Sequence, residues 1–236
     1  MPTINERAQQ AADPTTSTPA LRELACDRSP KVREAVAANP NAPADLLTTL
    51  ANDTSWKVRY AVAENPTPNA LSAALASTDK STRGVAAMRD DLDDESRLAL
   101  QADPEHHVRE HLAVATSDAN TLADLARDPH PAVRSATLEN AHLSSSDIEM
   151  LAMDRMASVR RAAAASRRLK PDTLTRLADD RSADVRWAVL VNNPERLDLA
   201  TKIAQDSDEM NADQARAQLD NPRAFTEVFG NIKLVR

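Results

Sequence analysis

The segment VREAVAANP, starting at Val32, is answered 26 residues later by VRYAVAENP, starting at Val58. With the arginine of this phrase as a ruler, the chain marks itself at Arg33, Arg59, Arg83, Arg109, Arg134, Arg160 and Arg186, at intervals of 24 to 26 residues. The residue before each is Val32, Val58, Thr82, Val108, Val133, Val159 and Val185. Six before it stands Asp27, Asp53, Asp103, Asp128, Asp154 or Asp180, with Ser77 the one exception. Apolar pairs such as Leu47 and Leu50 or Ile148 and Leu151 lie twelve and nine before it, and Asn39, Asn65, Asn140 and Asn192 recur six after it. An eighth copy starts in phase at Ile203, Ala204 and Asp206 and then loses the pattern. A fixed period of this length means a stack of small modules.

Each copy reads as two short helices. The first carries the Leu-x-x-Leu-Ala spacing, as in ADLLTTLAND, which puts its leucines on one face. In the second, VRYAVAEN or VREAVAAN, the valine and the residues three and four positions on form the buried stripe. Asn-Pro closes it, because the residue before proline is pushed out of the helical region. So few residues leave room for one tight or 3₁₀-like member in each pair. A module this small cannot bury its own apolar face, so each copy completes the core of its neighbour, and the stack is expected to be elongated and curved. Composition agrees. Only two glycines, Gly84 and Gly230, argue against a β-rich or nucleotide-cradling chain, and 2% aromatics leave alanine, leucine and valine to fill the core.

The pattern Leu-x-x-Leu-Ala-x-Asp followed by Val-Arg-x-x-Val-Ala-x-Asn-Pro, as it stands in residues 47 to 66, resembles the leucine-rich repeat variant, a short relative of HEAT repeats. The resemblance covers residues 21 to 206 and implies an all-α fold: a right-handed α-solenoid of about eight two-helix repeats, α plus short α or 3₁₀. Some relatives carry a cysteine-rich iron–sulfur module; the lone Cys26 does not supply one, and no cofactor is expected. The register is least regular in DKSTRGVAAMRDDLDDESRLAL. Residues 1–18 read as a flexible segment or thin cap, 19–206 as the repeat array, and 207–236 as a degenerate last repeat with a C-terminal cap holding Phe225 and Phe229.

The matched columns of opposite charge (Asp27, Arg33, Asp53, Arg59, Asp103, Arg109, Asp128, Arg134, Asp154, Arg160, Asp180 and Arg186) read as a structural ladder. Each arginine would bond an aspartate of its own or the adjacent repeat. The competing reading is a basic stripe for phosphates or acidic partners. Beyond the ladder, RDDLDDES is an acidic run, and Arg155, Arg161, Arg167, Arg168 and Lys170 make a basic zone where an anionic contact would fall. His107 and His111, four apart, have chelating spacing, but neither a histidine column nor a cysteine supports a metal site.

Catalytic signatures are absent from the sequence: it has no P-loop and no Gly-x-Ser-x-Gly. The expectation is a non-catalytic scaffold for a protein partner, with Trp56, Tyr60, Arg161, Arg167, Arg168 and Lys170 as candidate contacts. The alternative is a HEAT-like nucleic-acid binder, similar to the alkylpurine DNA glycosylases, in which Trp56 and Trp187 would flank a base. A net charge of −7 opposes phosphate binding, and the two tryptophans occupy different columns of the repeat, as residues that fill gaps between copies would. With no apolar run of membrane length and no secretory leader, a cytoplasmic location is expected and no membrane partner.

Overall fold

The computed structural model describes residues 2–223, and every regular element among them is an α-helix. The helices are α1 (Ile4–Ala12), α2 (Thr18–Leu24), α3 (Pro30–Ala38), α4 (Ala44–Leu50), α5 (Trp56–Glu64), α6 (Pro68–Leu75), α7 (Lys80–Ala87), α8 (Asp94–Gln101), α9 (His106–Ala115), α10 (Ala119–Leu125), α11 (Pro131–Thr137), α12 (Ser145–Leu151), α13 (Ala157–Ala165), α14 (Pro171–Leu177), α15 (Ala183–Asn192), α16 (Leu197–Ile203) and α17 (Glu209–Asp220). From α2 onward they pair into eight repeats. The even-numbered helix of each is the leucine helix, and the odd-numbered one carries the Val-Arg phrase or its counterpart, Thr82-Arg83 in α7 and Asn211-Ala212 in α17. The leucine helix of each pair, seven or eight residues long, is α-helical. Tightening to i→i+3 bonds occurs at its ends, as where Leu46 donates to the Pro43 carbonyl on entry, and Asn52 to that of Thr49 and Asp53 to that of Leu50 on exit.

The repeats form two compact units, residues 1–117 and 118–236. In the first, α1 packs on α3 and α3 on α5, and α7 packs on α9; in the second, α13 packs on both α11 and α15. Valine and alanine make this close approach possible. Val32, Val36 and Ala37 are fully buried, and so are Val58, Val62 and Ala63, and Val159, Ala163 and Ala164. The stripe thus runs over the positions four and five after the valine. The third, expected at the sequence level, is only half-buried at Ala35 and Ala61, because the helix turns it toward the open side of the row. The leucine helices seal the opposite side with Leu21, Leu47, Leu122, Ile148, Leu151 and Leu177. Each such side chain contributes about 1.5–3 kcal/mol of burial, much of it against the next repeat.

Residues 4–12 are helical: α1 occupies the place of a Val-Arg helix ahead of the first full repeat, with a capping box between Thr3 and Glu6 at its start. At the other end α16 and α17 complete the eighth pair. Asn211 and Ala212 stand there where earlier repeats have valine and arginine. The irregular stretch around residues 79–100 stays in register. Its acidic run acts locally: Asp91 pairs with Arg89, Asp93 accepts from the Ser96 amide at the start of α8, and Asp94 pairs with Arg97. Phe225 and Phe229, read as a cap, lie outside the described residues. Among the described residues, no helix is long and apolar enough to cross a membrane.

Candidate partner-binding grooves on the Val-Arg helices

The charged columns meet between repeats. Arg33 donates from Nε and Nη2 to Asp53, twenty residues on, at 2.7 and 2.8 Å, while its Nη1 donates to the Asp27 carbonyl at 2.8 Å. The same fork joins Arg83 to Asp103, Arg134 to Asp154, Arg160 to Asp180 and Arg186 to Asp206, and one begins earlier than the phrase itself, from Arg7 to Asp27. Arg109 donates to the Asp103 carbonyl at 2.6 Å. Each aspartate also shapes the turn into its own Val-Arg helix by accepting from the amide two residues on, as from Ser55, Met156 and Ser182. Asp128 does so from His130.

Burial pushes the Asp53, Asp154 and Asp180 carboxyls up, but hydrogen bonds from Arg33, Arg134 and Arg160 and from turn amides outweigh it and hold them below the ordinary range. Asp206, bonded first of all by Arg186, is lowered to about 2.

Ser77 breaks the column. Its hydroxyl accepts from the Asp79 amide, which keeps the turn, and donates to the Ala51 carbonyl at 2.6 Å. Arg59 therefore faces Asp79 instead, with Nε 3.2 Å from the carboxylate but not aligned to bond it.

A second ladder comes from the asparagines. Buried Asn39 donates to the carbonyls of Ala11 and Asp13 in the preceding helix and exit turn, and buried Asn65 to those of Ala37 and Asn39. Arg89 takes over this work in the third repeat through the Asn65 carbonyl, and Gln218 in the eighth through that of Pro194. In the sixth repeat, where the column holds Ser166, Arg168 reaches the carbonyls of Asn140, Ala141 and Leu143. Arg168 was expected among the partner contacts. Arg168 is exposed, and its guanidinium spans the repeats because carbonyls at the end of the preceding Val-Arg helix need a donor there.

The other candidates are spread over both units. Trp56 and Tyr60 stand one turn apart on α5, 64% and 41% exposed, with rings edge-to-face at 6.4 Å and Lys57 Nζ 5.9 Å from the indole centroid. Trp56 is too exposed to fill a gap between repeats, and it borders a small hollow with Ser81, Thr82 and Val85 of the next one. Trp187 is half-buried against the core of the second unit. Arg161 projects from α13, exposed Arg167 follows in the turn with φ of 56°, and Lys170 stands just before α14 without a side-chain capping bond. His107 sits 3.4 Å from Glu110, whereas His111 lies across α7 where a β-carbon on Gly84 would meet its ring at 2.6 Å, so the two imidazoles turn to different neighbours.

Each unit carries a groove on its Val-Arg helices. In the first, about 510 Å³ is lined by Ala8, Lys31, Glu34, Ala35, Ala38 and Lys57. In the second, about 500 Å³ runs over α11, α13 and α15, floored by Ala162, Ala188 and Leu138. Two columns supply its walls: the residue after the arginine (Ser135, Arg161, Trp187) and the one four further on (Glu139, Ala165, Val191). The first column holds Glu34, Tyr60, Gly84, Glu110, Ser135, Arg161, Trp187 and Asp213, whereas the second alternates among alanine, glutamate, valine and methionine. Variability in the first column was the available signal for Trp187; Glu139 and Val191 carry no such signal.

The class these features define is an α-helical repeat protein stapled by arginine–aspartate rungs, with a constant interior and a varied outer face. Residues 5–66 match the model of the leucine rich repeat variant domain. The fold is similar to a solved structure described as a leucine-rich repeat variant with a novel repetitive structural motif, at 26% identity and a TM-score of 0.55 over 78% of each chain. Over residues 5–66 the repeat is that of the leucine rich repeat variant domain. A comparison with curated proteins finds no match.

Proposed function

We propose that the protein is a non-catalytic scaffold that binds another protein through the groove of its second unit. The observation that carries this reading is the division of labour among columns. Valine, arginine and aspartate positions hold in most repeats, while the groove-lining position after the arginine changes from Ser135 to Arg161 to Trp187. Small residues on the floor admit a partner's chain, and an aromatic beside an arginine is the usual composition of a strong contact. The ladder supports a protein over a nucleic acid as partner, because its cations already face carboxylates.

The test is capture with crosslinking from native extract, comparing wild type with Ala165→Trp, which fills the groove, and Thr175→Trp, an exposed change on α14. Partners lost with Ala165→Trp and kept with Thr175→Trp are the expected result. Identical capture by all three, or retention on heparin that falls steeply with salt, contradicts the reading.

A further inference from the structure

In the first unit most cations stand against a carboxylate: Arg7 against Asp27, Arg33 against Asp53, Arg83 against Asp103, and even the exposed Lys80 against Glu105. Lys31 and Lys57 depart from this. The Lys31 ammonium donates to the neutral side chain of Asn5 at 2.9 Å, and that of Lys57 stands 5.9 Å from the centre of the Trp56 indole. Among the described residues neither is paired with a carboxylate. Both ammoniums thus have a resting place, and neither is neutralised there.

The two lysines hold the same place in consecutive repeats, directly before the buried valine. Later repeats have Ser81, His107, Ala132, Ser158, Asp184 and Met210 there, so the pair occurs once. Both line the groove of the first unit, together with Ala8, Ala35 and Ala38. A third charged side chain, Glu34, lines the same groove and pairs with neither. Two ammoniums against one carboxylate leave the groove positive on a chain whose net charge is −7. That sign selects an anionic occupant. Because each ammonium already rests on a neutral neighbour, less side-chain freedom is lost when a carboxylate arrives. A nucleic acid fits poorly, since dense phosphates would meet Glu34 inside the groove and an acidic chain around it. A protein segment carries its carboxylates singly and can set small apolar side chains against the alanines.

We propose that the groove of the first unit binds an acidic segment of a partner protein, whose carboxylates pair with Lys31 and Lys57. This adds a docking surface to the one proposed on the second unit and does not rest on it. The second-unit groove has Ala132, Ser158 and Asp184 where the first has its lysines, so an acidic segment distinguishes the two. Glu34 works against the occupant and limits how tightly it is held.

The experiment is fluorescence anisotropy of full-length protein with two labelled dodecapeptides at low salt. One is built of glutamate, leucine and alanine in equal parts; the other has glutamine in place of every glutamate. The first is expected to bind about tenfold more tightly through two exposed ion pairs, and the difference to shrink as salt screens them. The double variant Lys31→Glu, Lys57→Glu, at two exposed positions, is expected to abolish the preference. Glu34→Gln is expected to tighten the glutamate peptide about two- to threefold, and Thr175→Glu, exposed on α14 of the second unit, to change nothing. Equal affinity for both peptides, or binding of neither, overturns the proposal, and this comparison needs only the wild-type protein. A preference that survives the double variant overturns it too, as does a single-stranded oligonucleotide that binds the wild type more tightly than the glutamate peptide. Capture lost with Ala165→Trp reports on the second unit alone, so the two proposals stand or fall separately.

Discussion

Asp206 receives Nε and Nη2 of Arg186, the Asp208 amide and the Asn211 side chain, so its charge is satisfied from four directions. Its folded pKa of about 2 lies below the ordinary value of 3.8. A depressed carboxyl contributes stability that is fully present above the unfolded value and is lost as pH falls toward the folded one. The window is therefore about pH 4 down to about 2, and the contribution is on the order of 2 kcal/mol. The urea midpoint of the wild type should fall through that window more steeply than that of Asp206→Asn; equal slopes would contradict this. At this scale the sequence is readable where a residue repeats and misleading where it substitutes. Arg168 sits among basic neighbours on the surface, and it also replaces the missing asparagine of its repeat as a donor to part-buried carbonyls. Only the position of those carbonyls reveals that, and spacing along the chain does not encode it.

Between elements, a rung is a staple: one guanidinium bonds the exit turn of its own repeat and the aspartate of the next. Desolvation offsets much of what such a buried pair contributes, so its role is to fix register as much as to add stability. Removing one partner is another matter. Arg160 and Asp180 side chains are 7% and 8% exposed, and Arg160→Ala would leave the carboxylate uncompensated, at a cost of about 3 kcal/mol. Arg59→Ala should cost roughly half as much, because its carboxylate partner is misaligned and more exposed. Urea unfolding of the two variants checks this, and equal losses would mean that rung geometry does not matter. The helix pairs and the ladder were legible in the sequence because packing against an identical neighbour demands the same residue every 25 or so positions. The groove was not, since its lining must differ between repeats to recognise anything, and periodicity cannot point to columns that lack it.

At the scale of the molecule, each unit holds its own continuous core, one running from Ala8 to Ala73 and one from Leu122 to Ala215. Neither core belongs to a single repeat; each is assembled from faces that adjacent copies lend one another. Stability should accordingly spread along neighbours, as a sum of repeat and interface terms. Val159, fully buried in α13, is the place to perturb it, and Val159→Ala should cost about 2 kcal/mol in lost burial and cavity formation. Hydrogen exchange followed by mass spectrometry, on wild type and Val159→Ala, tests this most directly. The account predicts that amides of α11, α13 and α15 lose protection together while those of α3 and α5 keep theirs. Loss confined to α13, or spread equally over the whole chain, would contradict it.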